Sequence, residues 1–265
     1  MITRTHLRNP FTEVILKNQN YLAVLHCFLF LICNNIWSQE GLKEDYHIIE
    51  VNKAQGGLDK EGMINMSYWS AQNWLPLDNI WLGSAQTKED FSGRYKLLWN
   101  DNALYLLAEI QDDVLLDRFN DPLKRWWDED CLEIFIDEDN SGGNHQFNHS
   151  AFAYHIDLKG NVVDVNPEKQ GQLYNSHVIS RRVTTHNTTI WEVKILLFDN
   201  NYVDDSYQEP QRLVSGKKIG FALAYCDNDT SEHRESFIGS SQHPGFKNDL
   251  GWKDASIFQT ILLKD

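Results

Sequence analysis

The segment from Arg125 to Gly143, RWWDEDCLEIFIDEDNSGG, joins two tryptophans and two acidic clusters to one strand. Its residues alternate from Cys131 to Asp137, which predicts two faces on a β-strand. The apolar face consists of three residues: Leu132, Ile134 and Ile136. Glu133 points the other way, beside an aromatic residue. A buried carboxylate there needs hydrogen-bond partners, which are either other side chains or the hydroxyls of a ligand.

These residue types suit a carbohydrate. A sugar ring has an apolar face that an indole covers and a rim of hydroxyls that polar side chains bind. Trp127, Glu133, His155 and Asp157 supply this combination if neighbouring strands bring them together. Consecutive residues of an extended chain point in opposite directions. We therefore expect one of Trp126 and Trp127 to pack into the core while the other lies at a rim.

Three further features leave alternatives open. Arg234, after the Asp-Asn-Asp turn at 227–229, is either part of a local ion pair or a ligand contact. The loop 137–143 is acidic and ends in glycines, a composition that suits calcium, although a solvated turn is equally compatible. The sequence spacing is not that of an EF-hand. Cys131 and Cys226, within or at the ends of predicted strands, are expected to be buried free thiols rather than a disulfide.

Catalysis is the alternative function. Two carboxylates that flank a glycosidic bond can act as acid and base, and the chain offers five candidates: Asp128, Glu129, Asp130, Glu133 and Asp157. The sequence lacks the P-loop, GxGxxG, GxSxG and HExxH motifs, and its Cys and His residues lack the short paired spacings of a zinc site. A haem-binding sandwich is disfavoured, because only Met63 and Met66 follow the N-terminal leader as candidate methionine ligands.

The pattern of the chain predicts an all-β fold with almost no amphipathic helix. About ten short strands separated by turn signals indicate an antiparallel β-sandwich of two sheets, jelly-roll-like, in one domain at 46–264. The predicted strands are 95–99, 104–110, 131–137, 152–158, 162–165, 178–184, 189–196, 219–225, 236–239 and 256–263.

The N-terminal residues 1–38 have the layout of a secretory signal peptide. Basic residues precede an apolar run, 21–32, that is short for a membrane span. An N-terminal anchor is the alternative. We expect export to the periplasm or the medium. The chain carries a net charge of −14, which becomes −16 without the leader. This charge disfavours nucleic acid as a partner, because phosphates would be repelled.

Five motifs taken together resemble the family 9 carbohydrate-binding module, and most closely the family 9-like sugar-binding proteins that polysaccharide-degrading bacteria export. In chain order they are LLWNDNALYLLAEIQDDVL, WWDEDCLEIFIDEDNSGG, AFAYHIDLKGNVVD, IGFALAYCDND and GWKDASIF. The resemblance covers about residues 69–263. It implies a sandwich of two antiparallel sheets, structural calcium and non-catalytic saccharide binding, in well-known members at the reducing end of cellulose- or xylan-type chains.

The resemblance also implies roles for residues. The family holds a sugar between two tryptophans, the first corresponding to Trp127, with Glu133 as hydroxyl acceptor. His155 and Asp157 stand where the family has Arg and Asn. The segment 239–245 has no second tryptophan. Either Phe246 or Trp252 would therefore cover the second face of the sugar, or that face would have no aromatic partner. These departures should change the preferred sugar.

The resulting expectation is a saccharide- or polysaccharide-binding protein that supports polysaccharide breakdown, with glycoside hydrolases as the expected partner enzymes. The ligand-binding residues expected are Trp127, Glu133, His155, Asp157, Trp126, Arg234 and Trp252. The calcium ligands are expected among Asp137, Asp139, Asp112, Asp113, Asp227 and Asp229.

Overall fold

A computed structural model describes residues 48–59 and 61–265, all within one compact unit, Tyr46–Asp265. The predicted signal peptide, 1–38, lies outside the described residues. Within the described ranges, no helix has both the length and the apolar character needed to cross a membrane.

Nine strands form the larger sheet: β1 (Ile49–Asn52), β3 (Asn79–Leu82), β6 (Cys131–Asp137), β7 (Phe152–Asp157), β8 (Val162–Val165), β9 (Gly171–Leu173), β12 (Lys218–Asp227), β13 (Ser236–Gly239) and β14 (Gln259–Lys264). Their order is β1-β14-β12-β6-β7-β8-β9, and β13 pairs with both β12 and β3. The strand β6, which carries Glu133, is therefore central in the sheet.

Five strands form the smaller sheet: β2 (Leu75–Leu77), β4 (Phe91–Asn100), β5 (Ala103–Asp112), β10 (Val178–Thr185) and β11 (Thr188–Ile195). Their order is β10-β11-β5-β4-β2. Helical structure in the described residues is limited to one turn, α1 (Met66–Trp69), and two 3-10 turns, Phe246–Asn248 and Ala255–Ile257.

All ten predicted strands are present, so the predicted all-β, two-sheet architecture is confirmed. The structure adds four strands that the sequence did not reveal: β1, β2, β3 and β9. It also corrects the expectation of purely antiparallel sheets, because β1 pairs with β14 in parallel. These additional strands have three or four residues each, too few to display a period-two pattern.

The alternation of β6 separates two environments. Leu132, Ile134 and Ile136 pack in the core between the sheets, together with Trp99 and Trp191. The opposite face of β6 meets a second cluster, built from the outer faces of neighbouring strands and from segments near the C-terminus that cover them. Small residues recur there on neighbouring strands: Ala153, Ala222 and Ala224. Of these, Ala153 lines the cavity described next.

Candidate functional site

A cavity of about 460 Å³ opens on the outer face of the larger sheet, a volume within the usual range for small-molecule sites. The aromatic residues that line it are Trp126, Trp127, Phe135, Phe147, Phe237, Phe246 and Trp252. Its polar lining residues are Glu133, His145, Asn148, His155, Asp164, Lys169, Arg234 and Asp249. Apolar surface beside converging polar groups is the combination that a sugar ring requires.

The two tryptophans before β6 form one side of the cavity. Trp127 is 40% exposed, so an indole face is accessible to a ligand. Trp126 meets it edge-on, with ring centroids 4.8 Å apart and planes at 83°. Gly171 on β9 underlies Trp126: a Cβ there would lie 2.5 Å from Cζ3 of the indole. Glycine at 171 is therefore required for Trp126 to support Trp127 in this position.

The tryptophan segment is fixed by a local hydrogen-bond network. Arg125 adopts a left-handed backbone conformation, φ 53°, which redirects the chain just before the tryptophans. Its Nε donates to the Asp128 carboxylate at 2.8 Å, and Nη2 donates to the backbone carbonyl of Glu232. The Asp128 carboxylate also accepts from the backbone N–H of Arg234. These contacts join the tryptophan segment to the loop that carries Arg234.

Glu133 and His155 lie on the floor of the cavity. They are directly opposite each other on β6 and β7, with His155 Nε2 3.1 Å from Glu133 Oε2. The His155 Nδ1 is 3.1 Å from the carbonyl of Ala153. Burial opposes charge on the imidazole, but the neighbouring Glu133 carboxylate outweighs it and raises the pKa of His155 to about 9. The buried carboxylate thus has its charged partner, as its burial requires.

Arg234 lies beside this pair. Its guanidinium is over the ring of Phe237, 4.2 Å from the centroid, and Nη1 is 3.4 Å from Cys226 Sγ. Its Nη2 is 3.6 Å from the exposed carboxylate of Asp249. Arg234 lines the cavity, and the acidic partner of its guanidinium is Asp249 rather than a residue of the turn at 227–229, which corrects the expected local ion pair. Cys226 and its cross-strand partner Cys131 are buried and free.

Trp252 and Phe246 both line the cavity, but only Trp252 is partly exposed. Phe246 is buried and stacks on Trp81, with centroids 3.8 Å apart and planes at 8°. The Trp252 indole N–H donates to Asp249 at 3.0 Å. Its ring meets Phe147 edge-on at 6.1 Å. Trp252 is therefore the better placed of the two to cover a second sugar face.

The structure does not bring Asp157 to the cavity, which corrects its expected place beside Glu133 and His155. Its carboxylate closes the β7–β8 turn, accepting from the backbone N–H groups of Lys159 and Asn161 at 2.8 Å each. Asp164 lines the cavity instead. Its carboxylate accepts from the backbone N–H of Ala153 at 2.7 Å, and burial raises its pKa to about 7.

Three of the carboxylates considered for catalysis are bound to loops and do not line the cavity. The Asp128 carboxylate accepts hydrogen bonds from Arg125 Nε and from the backbone N–H of Arg234. Glu129 accepts from the backbone N–H groups of Arg118 and Phe119. Asp130 accepts from those of Leu116 and Asn228, at 2.5 and 2.9 Å. These side chains organise the loops beside the cavity.

Four of the six predicted metal ligands converge at one end of β5 and β12. Asp112, Asp227 and Asp229 each bring a carboxylate oxygen within 4.8 Å of the others. A carboxylate oxygen of Asp229 also lies within 4.8 Å of oxygens of Asp113 and Asp90. Asp90 was not among the metal ligands expected from the sequence. Burial and neighbouring carboxylates raise the pKa of Asp227 to about 8. Asp229 Oδ1 is buried and has no hydrogen-bond partner among the residues that the structure describes.

Asp137 and Asp139 lie elsewhere: Asp137 ends β6, and Asp139 lies on the turn that follows. Asp137 pairs in register with Gly220 near the start of β12, whereas Asp227 ends that strand. Asp137 Oδ2 accepts from the Gly142 N–H at 2.7 Å. Within residues 48–59 and 61–265, its buried Oδ1 has no hydrogen-bond partner. In both places oxygen donors and an unsatisfied buried carboxylate oxygen fit a hard cation such as calcium.

Comparisons with known proteins give a consistent result. Two curated relatives are endo-1,4-beta-xylanase A of Thermotoga maritima and of Thermotoga neapolitana, 32% and 31% identical over 72 residues, which is 27% of this chain. The aligned part spans only 6% of each xylanase. Similarity to these enzymes is thus confined to a small part of their length.

Solved structures share the fold. A family 9 carbohydrate-binding module of Caldicellulosiruptor kristjanssonii in complex with cellotriose has a TM-score of 0.61 at 23% identity, covering 82% of this chain and 94% of that one. The same kind of module from that organism, in complex with glucose, has a TM-score of 0.58 at 23% identity, covering 82% and 96%. The family model described as carbohydrate family 9 binding domain-like matches residues 61–265. This chain belongs to the carbohydrate family 9 binding domain-like family.

Proposed function

We propose that this protein is an exported, non-catalytic binding protein that holds a saccharide in the cavity above β6 and β7. Family membership supports carbohydrate binding as the general function. The observation that carries the specific proposal is the exposed Trp127 indole beside the buried Glu133–His155 pair, all lining one cavity. The indole covers the C–H face of a ring, and the floor offers hydrogen-bond partners to its hydroxyls.

The position of each residue in the cavity indicates its role in binding. Trp127 stacks on the sugar, supported edge-on by Trp126. Glu133 accepts hydrogen bonds from sugar hydroxyls, and His155, the pKa of which is raised by this carboxylate, holds the carboxylate in place. The Arg234 guanidinium donates hydrogen bonds to oxygen atoms of the sugar from the side of the ring. Trp252, which lines the cavity and is partly exposed, covers the other face of the ring.

Neutral gluco-oligosaccharides are the first ligands to test, since a structural relative was solved with cellotriose and another with glucose. His155, which stands where the resemblance implies an arginine, together with Asp164 and Trp252, changes the groups that the cavity offers to a ligand. The sugar preferred by this chain therefore differs from that of the well-known members. A role in polysaccharide breakdown, beside glycoside hydrolases, follows if the ligand is a polysaccharide.

Calcium binding is part of the same proposal. Asp112, Asp227 and Asp229 would hold one ion, and Asp137 with Asp139 would hold another on the turn after β6. The carboxylate oxygens without partners at Asp229 and Asp137 support these assignments. A bound ion would neutralise repulsion among the acidic side chains and stabilise the folded chain.

The test is isothermal titration of the purified protein with cellotriose and a panel of soluble plant and algal oligosaccharides. Binding should be measurable for at least one sugar. Trp127→Ala should weaken it about tenfold or more, because the burial of an apolar side-chain contact contributes roughly 1.5–3 kcal/mol. Tyr207→Ala is the control, because this aromatic side chain is 85% exposed and lies outside the cavity.

Two outcomes would contradict the proposal. One is the absence of binding to every sugar of the panel by a folded protein. The other is binding that Trp127→Ala leaves unchanged. Release of shorter products from a bound oligosaccharide, abolished by Glu133→Gln, would instead support the glycan-active enzyme.

A further inference from the structure

Besides the acidic clusters, the structure brings together a mixed set of metal-ligating side chains. We propose that Glu133, His155 and Cys226 form a site for one divalent transition-metal ion of the zinc type. The three residues lie on adjacent strands, β7, β6 and β12, on the face directed away from the sandwich core. All three are buried, and Glu133 and His155 line the cavity.

The distances among the three donor atoms are close to those of a tetrahedral zinc site. His155 Nε2 is 3.1 Å from Glu133 Oε2, and Cys226 Sγ is 3.9 Å from the same oxygen. All three donor atoms lie within 4.8 Å of one another. Zinc binds nitrogen and oxygen at about 2.0–2.2 Å and sulfur at about 2.3 Å, so its tetrahedral ligands lie about 3.5 Å apart. Small side-chain rotations would bring these donors to that spacing.

The orientation of His155 is an independent observation in favour of a metal. Its Nδ1 is 3.1 Å from the backbone carbonyl of Ala153, to which it can only donate. This contact leaves Nε2 as the nitrogen directed at Glu133 and Cys226. A histidine that binds metal commonly donates its other N–H to a backbone carbonyl in this way, which fixes both tautomer and ring plane.

Charge balance is compatible with the ion. The ligand form of the site is the Glu133 carboxylate, the neutral imidazole of His155 and the Cys226 thiolate, with two negative charges. One dication neutralises both charges. Arg234 is 3.4 Å from Cys226 Sγ and favours the thiolate, while its own charge is offset by Asp249 at 3.6 Å.

The donor set selects the kind of metal. Thiolate, imidazole and carboxylate together suit zinc, whereas calcium and magnesium prefer oxygen ligands alone. Three protein ligands leave the fourth position open, which is the arrangement of zinc sites that take a water or an exogenous ligand. The open position would face the cavity, where a hydroxyl could reach it. This site is distinct from both acidic clusters proposed for calcium.

The experiment uses the purified full chain, freed of metal by chelation and free of sugar, so its outcome does not depend on the proposed saccharide function. Titration with Co²⁺ should saturate at one ion per chain and produce a thiolate-to-cobalt charge-transfer band in the near ultraviolet. Zn²⁺ should displace the Co²⁺ and remove the band. Excess Ca²⁺ should leave it unchanged.

Variants separate this site from other metal binding. Cys226→Ser should abolish the band and weaken Zn²⁺ binding at least tenfold. Cys131→Ser, at the cross-strand partner position, should keep both. If Cys226→Ser loses its strand signal in circular dichroism, His155→Asn carries the same expectation for Zn²⁺ affinity, since its amide can still donate to the Ala153 carbonyl. A wild-type protein without the band, or a folded Cys226→Ser protein that retains it, would overturn the proposal.

Discussion

Glu133 and His155 form a buried cross-strand pair, with His155 Nε2 3.1 Å from Glu133 Oε2, on the floor of a cavity that aromatic and polar side chains line. Burial opposes charge on the imidazole, but the Glu133 carboxylate outweighs it and raises the pKa of His155 to about 9, so His155 is the charged partner of Glu133. It also orients that carboxylate within the central strand of the larger sheet. A rigid, charged acceptor beside an exposed indole is the basis of the proposed sugar site.

Glu133→Gln should weaken saccharide binding about tenfold or more, because a hydrogen bond to a charged group contributes roughly 1.5–3 kcal/mol. Isothermal titration with a sugar that binds the wild type measures the change. Glu138→Gln is the matched control: this buried carboxylate is paired with Lys217 and does not line the cavity. Equal affinity of the Glu133→Gln and Glu138→Gln proteins would exclude Glu133 as a ligand contact.

Gly171→Ala should reduce saccharide affinity through Trp126. The added Cβ would lie 2.5 Å from Cζ3 of this indole, so the ring must move and Trp127 loses its edge-on support. Tryptophan fluorescence should shift, because an indole changes its surroundings. Gly57→Ala is the control, since a Cβ at position 57 meets nothing within 4 Å. A Gly171→Ala protein with wild-type affinity and fluorescence would show that Trp126 does not support the site.

The sequence predicts the fold better than the site, for a physical reason. Alternation over 131–137 was long enough to identify both faces of β6, and the structure confirms them. The same alternation rule placed Asp157 beside Glu133 and His155. Alternation does not, however, reveal where a strand ends and a turn begins. The hairpin turn uses the Asp157 carboxylate for its own backbone N–H groups.

Asp164 shows the complementary difficulty. The regular pairing of β7 with β8 covers only two residue pairs. Beyond it, the Asp164 carboxylate accepts the Ala153 N–H in place of a backbone carbonyl. A residue at such an irregular point cannot be assigned to a face from sequence. The convergence of Cys226 with Glu133 and His155 likewise depends on strand order, and their spacing in the chain carries no metal-binding pattern.

Calcium should raise the melting temperature of the purified protein, and a chelator should lower it. Saturation at about one hundred times Kd would contribute about 2.7 kcal/mol for each site. Asp227→Asn should reduce the effect of calcium by removing a charged oxygen ligand, and Asp137→Asn should reduce it at the other cluster. Asp78→Asn, at an exposed position, should respond as the wild type does. A chelator without effect on wild-type melting would contradict both calcium sites.

His177 should make the protein less stable in acid. Burial, with a smaller contribution from His149, lowers the pKa of His177 to about 4. The unfolded chain therefore binds a proton that the folded chain does not between pH 6.5 and about 4. The free energy of unfolding should fall as pH falls through this window, by at most about 3 kcal/mol from this residue.

Urea unfolding at pH 7 and pH 4.5 measures this contribution as a difference between variants, since other groups also titrate. His177→Asn keeps an acceptor for the Tyr154 hydroxyl, which lies 2.7 Å from Nδ1, and removes the titrating ring. It should lose less stability between the two pH values than the wild type. His186→Asn, at an exposed position, should match the wild type. If His177→Asn and the wild type lose the same stability, His177 is not the group responsible.

The most direct measurement is a crystal structure of the protein with an oligosaccharide that it binds in solution. The account predicts a sugar ring lying on the Trp127 indole, with one hydroxyl within hydrogen-bond distance of Glu133. A sugar bound elsewhere on the chain, with this cavity free of it, would contradict the account.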